Sequence, residues 1–492
     1  MSRSRATGQR RPQADPGRFV SAPLALLLSG TALGCAVHRV RHDPKPPVRV
    51  PAAYHAASHE PQGRQLPERW WQEFSDRELD RLVDATLRGN FDLRAAWARL
   101  AQARAVSRQA GAPRWPGLEL RATGTYQRFL LGRFGTLESR QNNNSLAASY
   151  ELDLWGKLSS GAAAALQHER AAGADLAALA MSLAAEVSER WFDLARSRAQ
   201  QALLAAQQQS NETFLELVML RFNQGQASAL DVFQQRELLA GNRAELELLR
   251  ASEAMLRNQL AILAGRTPGT LTAQGHLQLP EPLALPGLGL PSHLLQRRPD
   301  VRAAMHRVQA VDHQLAQAVA DRYPSLRLSA SGSLQANNLS DQALTPLWNL
   351  AANLLMPLID GGRRAAEVER QRALLAERVS AYGKVVLLAL LEVENALVQE
   401  RQQRAHIEAL EGQLEVSQAN LREARHRYSQ GLSDFLPVLT SLRATQQTER
   451  RLLDARRQLL SHRIQLCRAL GGTWTRSLPR AGSGHHNVGA AS

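Results

Sequence analysis

The chain repeats itself, and this repetition limits its possible folds more than any composition figure does. At a spacing of about 207 residues, Asp92-Leu-Arg-Ala-Ala96 returns as Asp300-Val-Arg-Ala-Ala304. At nearly the same offset Arg114-Trp-Pro-Gly-Leu-Glu-Leu-Arg-Ala-Thr-Gly124 returns as Arg322-Tyr-Pro-Ser-Leu-Arg-Leu-Ser-Ala-Ser-Gly332. Arg221-Phe-Asn-Gln-Gly225 returns as Arg427-Tyr-Ser-Gln-Gly431, and Leu246, Arg250, Leu260 and Gly265 match Leu452, Arg456, Leu466 and Gly471. Ordered matches of this kind mark a tandem duplication, so whatever one half builds, the other half builds again.

Each copy carries the same succession of patterns. A helix is expected from Asp76 to about Ala112 in copy one and from Ser292 to about Ala320 in copy two. Period-two alternation follows, the mark of a strand with two unlike faces. Leu118, Leu120 and Ala122 share one face against Glu119, Arg121 and Thr123, and Leu326, Leu328 and Ala330 oppose Arg327, Ser329 and Ser331. Polar loops are expected at Gln141-Asn-Asn-Asn144 and Gln335-Ala-Asn-Asn338. Return strands then place Leu146, Ala148, Tyr150, Leu152 and Leu154, and in copy two Trp348, Leu350, Ala352, Leu354 and Met356, on one face. The chain thus holds two hairpins and four strands.

The period then changes. No proline stands between Pro116 and Pro268, or between Pro357 and Pro437, as uninterrupted helices require. Leu176, Leu179, Leu183, Val187, Trp191 and Leu194 recur at helical spacing from Lys157 to about Phe222. In copy two Val379, Tyr382, Val386, Ala389, Val393 and Ala396 form a heptad seam, which implies coiled-coil packing. About 65 residues at 1.5 Å each make a column of roughly 100 Å, which must lay its apolar stripe against the next long helix, about Leu230 to Leu263, and other neighbours.

The N-terminus has the layout of an export signal. Arg3, Arg5, Arg10, Arg11 and Arg18 precede the apolar run Ala22 to Ser29, and small residues lead to Cys35. A cysteine at this place resembles the acylated cysteine of the bacterial lipobox, although the position usually held by Leu is Ala32. Residues 36–66, rich in proline, are expected to form an extended tether without a core of its own. The organisation is therefore a signal peptide at 1–34, a lipidated tether at 35–66, repeat one at 67–266, a proline-rich linker at 267–291, repeat two at 292–474 and a disordered tail at 475–492.

The formal charge of +15 raises the question of nucleic acid. Residues 1–34 contribute +4 of it, and the remaining arginines alternate with glutamates along helical stretches, so no nucleic-acid partner is expected. Neither Cys35 nor Cys467 has Cys or His neighbours at metal-ligand spacing. Cys467 is expected to be a buried thiol on a helix. No phosphate-binding glycine loop or catalytic constellation is present, so neither a cofactor nor an enzymatic activity is expected.

Four amphipathic strands leave two open edges, which hydrocarbon does not tolerate, and closed membrane barrels begin at about eight strands. Strands from other chains would have to complete them; three chains would supply twelve. The chain here resembles the outer-membrane factor family of tripartite efflux systems, the TolC-like channels, and above all their OprM-like, NodT-type lipoprotein branch. The resemblance is carried by Trp70-Trp-Gln-Glu-Phe-Ser-Asp76, Ser149-Tyr-Glu-Leu-Asp-Leu-Trp-Gly156, Leu294-Leu-Gln-Arg-Arg-Pro-Asp-Val301, Pro357-Leu-Ile-Asp-Gly-Gly362 and Arg468-Ala-Leu-Gly-Gly-Thr-Trp474. These segments stand in family order across most of the chain.

The resemblance implies a mixed, mainly α fold: a homotrimer with a twelve-stranded barrel in outer-membrane lipid and a long antiparallel helical tunnel through the periplasm. The tunnel would meet a periplasmic membrane-fusion adaptor and an inner-membrane transporter of RND type, and would pass drugs or other small molecules outward. It also implies that the two helix–helix turns form the periplasmic tip and gate, with Arg221, Phe222, Gly225 and Asp231 in copy one and Arg427, Tyr428, Gly431 and Asp434 in copy two. Copy one keeps a tip acid at Asp231, whereas copy two reads Leu436-Pro-Val-Leu-Thr440, where the family usually carries an acid. A closed state resting on Arg427, Tyr428 and packing is expected in its place. The alternatives are the channel of a type I secretion or metal-efflux system, and a soluble periplasmic coiled-coil adaptor, which would need a lipoyl-like domain between its helices.

Overall fold

The computed structural model describes residues 38, 40, 45–56, 67–130, 132–271, 279–281, 284–336 and 345–478. The signal peptide, Cys35, Asn338 and nearly all of the tail expected from 475 lie outside these residues. The chain divides into two compact units, one of residues 1–42, 108–164 and 311–374, the other of 43–107, 165–310 and 375–492.

The first unit holds a four-stranded antiparallel sheet in the order β1 (Gly117–Leu130), β2 (Thr136–Leu152), β3 (Ser325–Ala336), β4 (Thr345–Leu355). Its register aligns Leu118, Ala148, Ala330 and Leu350 in one cross-strand row and Leu120, Leu146, Gly332 and Trp348 in the next. The adjoining rows on that face hold Tyr150 with Leu328 and Leu152 with Leu326 and Leu354. The alternation therefore yields one continuous apolar face, and within the chain it is bare: Trp348 is 87% and Leu350 86% exposed. Gly332 makes room for Trp348, whose ring lies 3.0 Å from where a β-carbon would stand.

The asparagines at 142–144 do not form the expected loop. They pair with β1 on one side and β3 on the other, in the interior of β2. Ladder bonds on both edges satisfy the backbone, so tertiary pairing overrides the low strand preference of asparagine.

Strand-to-helix elbows hold two of the family segments. Asp153 accepts hydrogen bonds from the Leu158 and Ser159 N–H groups at 2.9 and 2.7 Å, and Trp155 Nε1 donates to the Pro324 carbonyl at 2.7 Å. In copy two, Asp360 accepts from the Gly362 and Arg364 N–H groups. Asp321 sits between Lys157 (2.5 Å) and Arg364 (3.0 Å), and these cations hold its carboxyl below the usual range against the opposing effect of burial.

The second unit is helical. The helix expected from Asp76 to Ala112 is two helices, α1 (Arg77–Gly89) and α2 (Phe91–Gly111). Asn90 separates them: its Oδ1 accepts from the Leu93 N–H at 3.0 Å, a cap that starts a new helix, and its Nδ2 donates to the Leu263 carbonyl. In copy two the expected helix from Ser292 becomes short turns at Pro291–His293 and Leu294–Arg297, then α5 (Pro299–Ala320). The break falls at Arg298, which is extended because a proline follows it.

The long helices match the periodicity closely. Copy one has α3 (Lys157–Asn223) and α4 (Ala229–Leu263); copy two has α6 (Arg363–Ser429) and α7 (Leu436–Leu470). Both first helices have 67 residues and both second helices 35. The heptad seam of α6 is buried at Tyr382, Val386, Ala389, Val393 and Ala396, and on α3 Leu176, Leu183, Val187, Trp191 and Leu194 enter the main core with Trp70, Trp71 and Phe74. Cys467 is buried, and burial pushes its thiol well up. Among the described residues α3 alone has the length and apolarity of a membrane-spanning helix, and 61% of that apolar stretch is buried inside the chain.

The segment read as a tether without a core is docked over residues 45–56. Tyr54 is buried and Val48 and Val50 pack against the same cluster. The Glu394 carboxylate accepts from the N–H groups of His55 (2.7 Å) and Ala56 (2.9 Å), and Arg401 donates to the Ala56 carbonyl. Gly383 permits this approach, since a β-carbon there would stand 2.7 Å from Pro47 Cγ. The first residues counted with the tail are ordered: Trp474–Ser477 form a 3-10 turn, with Trp474 buried edge-on to Trp71 at 4.9 Å.

Candidate functional site

The turn between α3 and α4 and the turn between α6 and α7 have the same backbone. Gly225 and Gly431 adopt left-handed φ values of 74° and 73°. In copy one the Gln226 N–H donates to the Arg221 carbonyl (2.8 Å) and the Gly225 N–H to the Phe222 carbonyl (2.9 Å). Leu432 to Arg427 (2.9 Å) and Gly431 to Tyr428 (3.0 Å) repeat the pattern. This is the Schellman helix end, which needs a residue free of the β-carbon penalty at the left-handed position.

What enters the next helix differs. In copy one Ser228 and Asp231 form a reciprocal capping box: Ser228 Oγ accepts from the Asp231 N–H at 3.2 Å, and Asp231 Oδ2 accepts from the Ser228 N–H at 2.9 Å. In copy two Asp434 stands where Ser228 stands in copy one and Pro437 where Asp231 stands. No side chain caps α7, whose N-cap is Phe435, and Asp434 is exposed.

The side chain of Arg221 reaches from the first turn to the second. The Arg221 guanidinium lies over the Tyr428 ring, 4.4 Å from its centroid, and Nη1 donates to the Tyr428 carbonyl. Tyr428 is buried among Phe214 and Phe435, at ring separations of 6.4 and 5.7 Å. Burial pushes its phenol up, Arg221 opposes this and Asp231 adds to it. Arg425 lies over Phe214 at 5.4 Å, and burial lowers its pKa.

Of the residues singled out from sequence, the structure brings together Arg221, Tyr428 and Asp231. Arg427 is exposed and Phe222 is 44% exposed, outside the aromatic cluster. The partner of Tyr428 is therefore the arginine of the other copy. Phe214, Phe435 and Ser228 were missed, yet the Ser-x-x-Asp signature at 228–231 was legible as a capping box. Among the described residues no group of three His, Cys, Asp or Glu side chains is placed to hold a metal ion.

A duplicated chain with a bare apolar hairpin face and two pairs of long antiparallel helices defines a class: the subunit of an outer-membrane channel with a helical tunnel. The family model of outer membrane efflux proteins matches residues 82–266 and 290–472. The chain belongs to that family, the TolC-like channels through which efflux pumps discharge. It is 34% identical to the pyoverdine export outer membrane protein OpmQ of Pseudomonas aeruginosa, over 82% of this chain and 87% of that one. It is 31% identical to the outer membrane protein OprJ of the same organism, over 92% and 95%. Among solved structures, the outer-membrane channel OprN aligns with a TM-score of 0.83 at 29% identity, covering 90% of this chain and all of that one. The open state of the MtrE channel of Neisseria gonorrhoeae aligns at 0.80 and 26%, covering 90% and 99%. The protein is thus an outer-membrane exit channel of a tripartite efflux pump, a transporter and not an enzyme. Channels of this family are trimers that work with an adaptor and an inner-membrane transporter.

Proposed function

We propose that this chain forms the lipid-anchored outer-membrane channel of an RND-type pump for small molecules, acylated at Cys35 and closed at its periplasmic end by the link between its two turns. The observation that carries the gate is Arg221 seated on the ring and carbonyl of Tyr428, a contact that ties copy one to copy two. Three chains would supply twelve strands, and the bare row of Leu350 and Trp348 would face outer-membrane lipid rather than nucleic acid or a soluble partner. The adaptor and transporter would meet the tunnel at the turns carrying Gly225 and Gly431, and the transporter would select the cargo.

In this reading Asp231 acts chiefly as a cap, and the gate depends less on a carboxylate ring than on the arginine–aromatic link. Single-channel recording of the purified trimer tests this. Arg221→Ala is expected to raise open probability strongly, whereas Tyr428→Phe, which keeps both ring and carbonyl, stays near wild type. Asp434→Ala is expected to change conductance little. Unchanged gating in Arg221→Ala would sink the proposal.

A further inference from the structure

The apolar face of the sheet ends differently at its two edges along the strands. At the end where strands give way to helices, Trp115 is 76% exposed and the Trp155 ring lies 5.0 Å from that of Tyr323. Aromatic side chains collect in this way where hydrocarbon meets water. Towards the other end β1 and β2 stay in one register, from Gly117 with Ser149 to Leu130 with Thr136. The face that holds Leu118 and Leu120 therefore continues unbroken to the hairpin tip. It passes Ala122 with Asn144 and Gly124 with Asn142, then reaches Tyr126 with Arg140 and Arg128 with Glu138.

Tyr126 stands 11 residues beyond Trp115. At about 3.4 Å per residue and a strand tilt of about 40°, this is roughly 29 Å of height, against an apolar band of about 25 Å in outer-membrane barrels. Tyr126 thus marks the second aromatic level, and the row of Arg128 and Glu138 lies above it. Here the face turns from apolar to cationic. The Arg140 guanidinium lies over the Tyr126 ring, 5.3 Å from its centroid. Arg128 Nε stands 3.6 Å from Glu138, and Arg133 is exposed in the turn between the strands.

Three arginines and one glutamate give residues 126–140 a charge of +2. The opposite face of the sheet has no such excess: Arg121 lies 3.7 Å from Glu119, and Arg327 donates to Glu151 at 3.0 Å. The second hairpin has no such cations either, since residues 333–349 contain Asp341 and neither lysine nor arginine.

We infer that Arg128 and Arg140 form a docking site for the phosphate groups of the outer-leaflet glycolipid, one site per chain, on the first hairpin alone. The helices occupy the periplasmic side, so the hairpin tip meets the outer leaflet, whose glycolipid carries phosphates on its sugar headgroup. A guanidinium fits a phosphate through two parallel N–H donors. Tyr126 lies between these cations and the apolar band, so its ring supports Arg140 at headgroup level. This inference rests on the outer-membrane reading above.

The test is binding of bisphosphorylated lipid A to the delipidated full-length protein in detergent, followed by native mass spectrometry. Wild type is expected to take up to three molecules per trimer. Arg128→Gln with Arg140→Gln should weaken binding on the order of 30-fold, and each single variant about fivefold. The single variants keep the test open if the double variant assembles poorly. Arg121→Gln with Arg327→Gln removes the same charge from the opposite face and should bind as wild type does. Dephosphorylated lipid A should bind wild type and the double tip variant alike. Phosphatidylglycerol losing as much affinity as lipid A in the tip variants would make this a general anion site and overturn the assignment. Heat-sensitive migration on gels reports the trimer separately. A wild type that runs only as monomer defeats the trimeric reading and this inference with it. Heat-sensitive trimers whose tip variants bind lipid A as tightly as wild type overturn the glycolipid site and leave the trimer standing.

Discussion

The ion pair between Glu400 and Arg463 offers the sharpest stability test. Both side chains are sealed from solvent, at 0% and 1% exposure. Arg463 Nη2 and Nε reach the two carboxylate oxygens at 2.5 and 3.1 Å, and Nη1 donates to the Ala284 carbonyl at 3.3 Å. Burial alone would lower the guanidinium pKa; the bonds and charge of Glu400 reverse this and raise it. Glu400→Gln keeps the shape and removes the countercharge, leaving a buried cation, a change that costs about 3–5 kcal/mol. With an unfolding entropy of about 2.1 cal/mol/K per residue, a chain of 492 residues changes stability by roughly 1 kcal/mol per degree. The melting temperature should therefore fall by about 3–5 °C. Arg404 also donates to Glu400, at 3.1 Å, but is 42% exposed. Its replacement by alanine should cost under about 1 kcal/mol. Thermal unfolding followed through the buried tryptophans Trp70, Trp71 and Trp191 supplies the readout. Glu400→Leu with Arg463→Met, which removes both charges, should recover most of the loss. If Glu400→Gln melts with wild type, or the double variant melts as low as the single, the reasoning is wrong.

Other outcomes follow from the geometry. Gly383→Val drives a side chain into Pro47 and should release residues 45–56 to limited proteolysis while the helices stay folded. Ser228→Ala removes one arm of the capping box. It should cost about 1 kcal/mol locally, seen as faster amide exchange in the first turn of α4 and not of α7. His168, His306 and His462 all titrate below the usual histidine range, each chiefly because it is buried, with Arg307, Arg302 and Arg457 among the secondary causes. A lowered folded pKa contributes stability that is complete above about pH 6.5 and is lost as pH falls through the folded value. Melting temperature should therefore decline on acidification below that point, and a flat profile between pH 7 and 5 would contradict it.

The long elements were legible because their signals are long. The proline-free gaps and helical spacing placed the two long helices of copy one to within about two residues, and the heptad seam from Val379 to Ala396 marked the interior of α6, since packing and periodicity agree there. Shorter features depended on partners that no local pattern reveals. Asn142, Asn143 and Asn144 read as a loop alone and become a strand between β1 and β3. Proline-rich residues 45–56 read as a tether until Glu394 and Gly383, more than 300 residues away in sequence, supply the dock. At the turns the acid at 231 was read for its charge, while its position three residues after Ser228 spoke for a cap. The bridge from Arg221 to Tyr428 joins residues 207 apart in sequence, and only the folded chain pairs them.

The equal lengths of the helices set a rule for how such a chain can change. Both copies run 67 and 35 residues in their helices, yet the hairpin stretches differ: Lys157 follows Gly124 by 33 residues, whereas Arg363 follows its counterpart Gly332 by 31. A residue inserted into one column would rotate everything beyond it by about 100° and put its seam out of phase with a neighbour that had not changed. The hairpins carry no such obligation, because residues added beyond the paired stretch leave the register behind them unchanged. The helices act as a common gauge, whose dimension can alter only in both copies together, while the sheet remains free to lengthen one strand at a time.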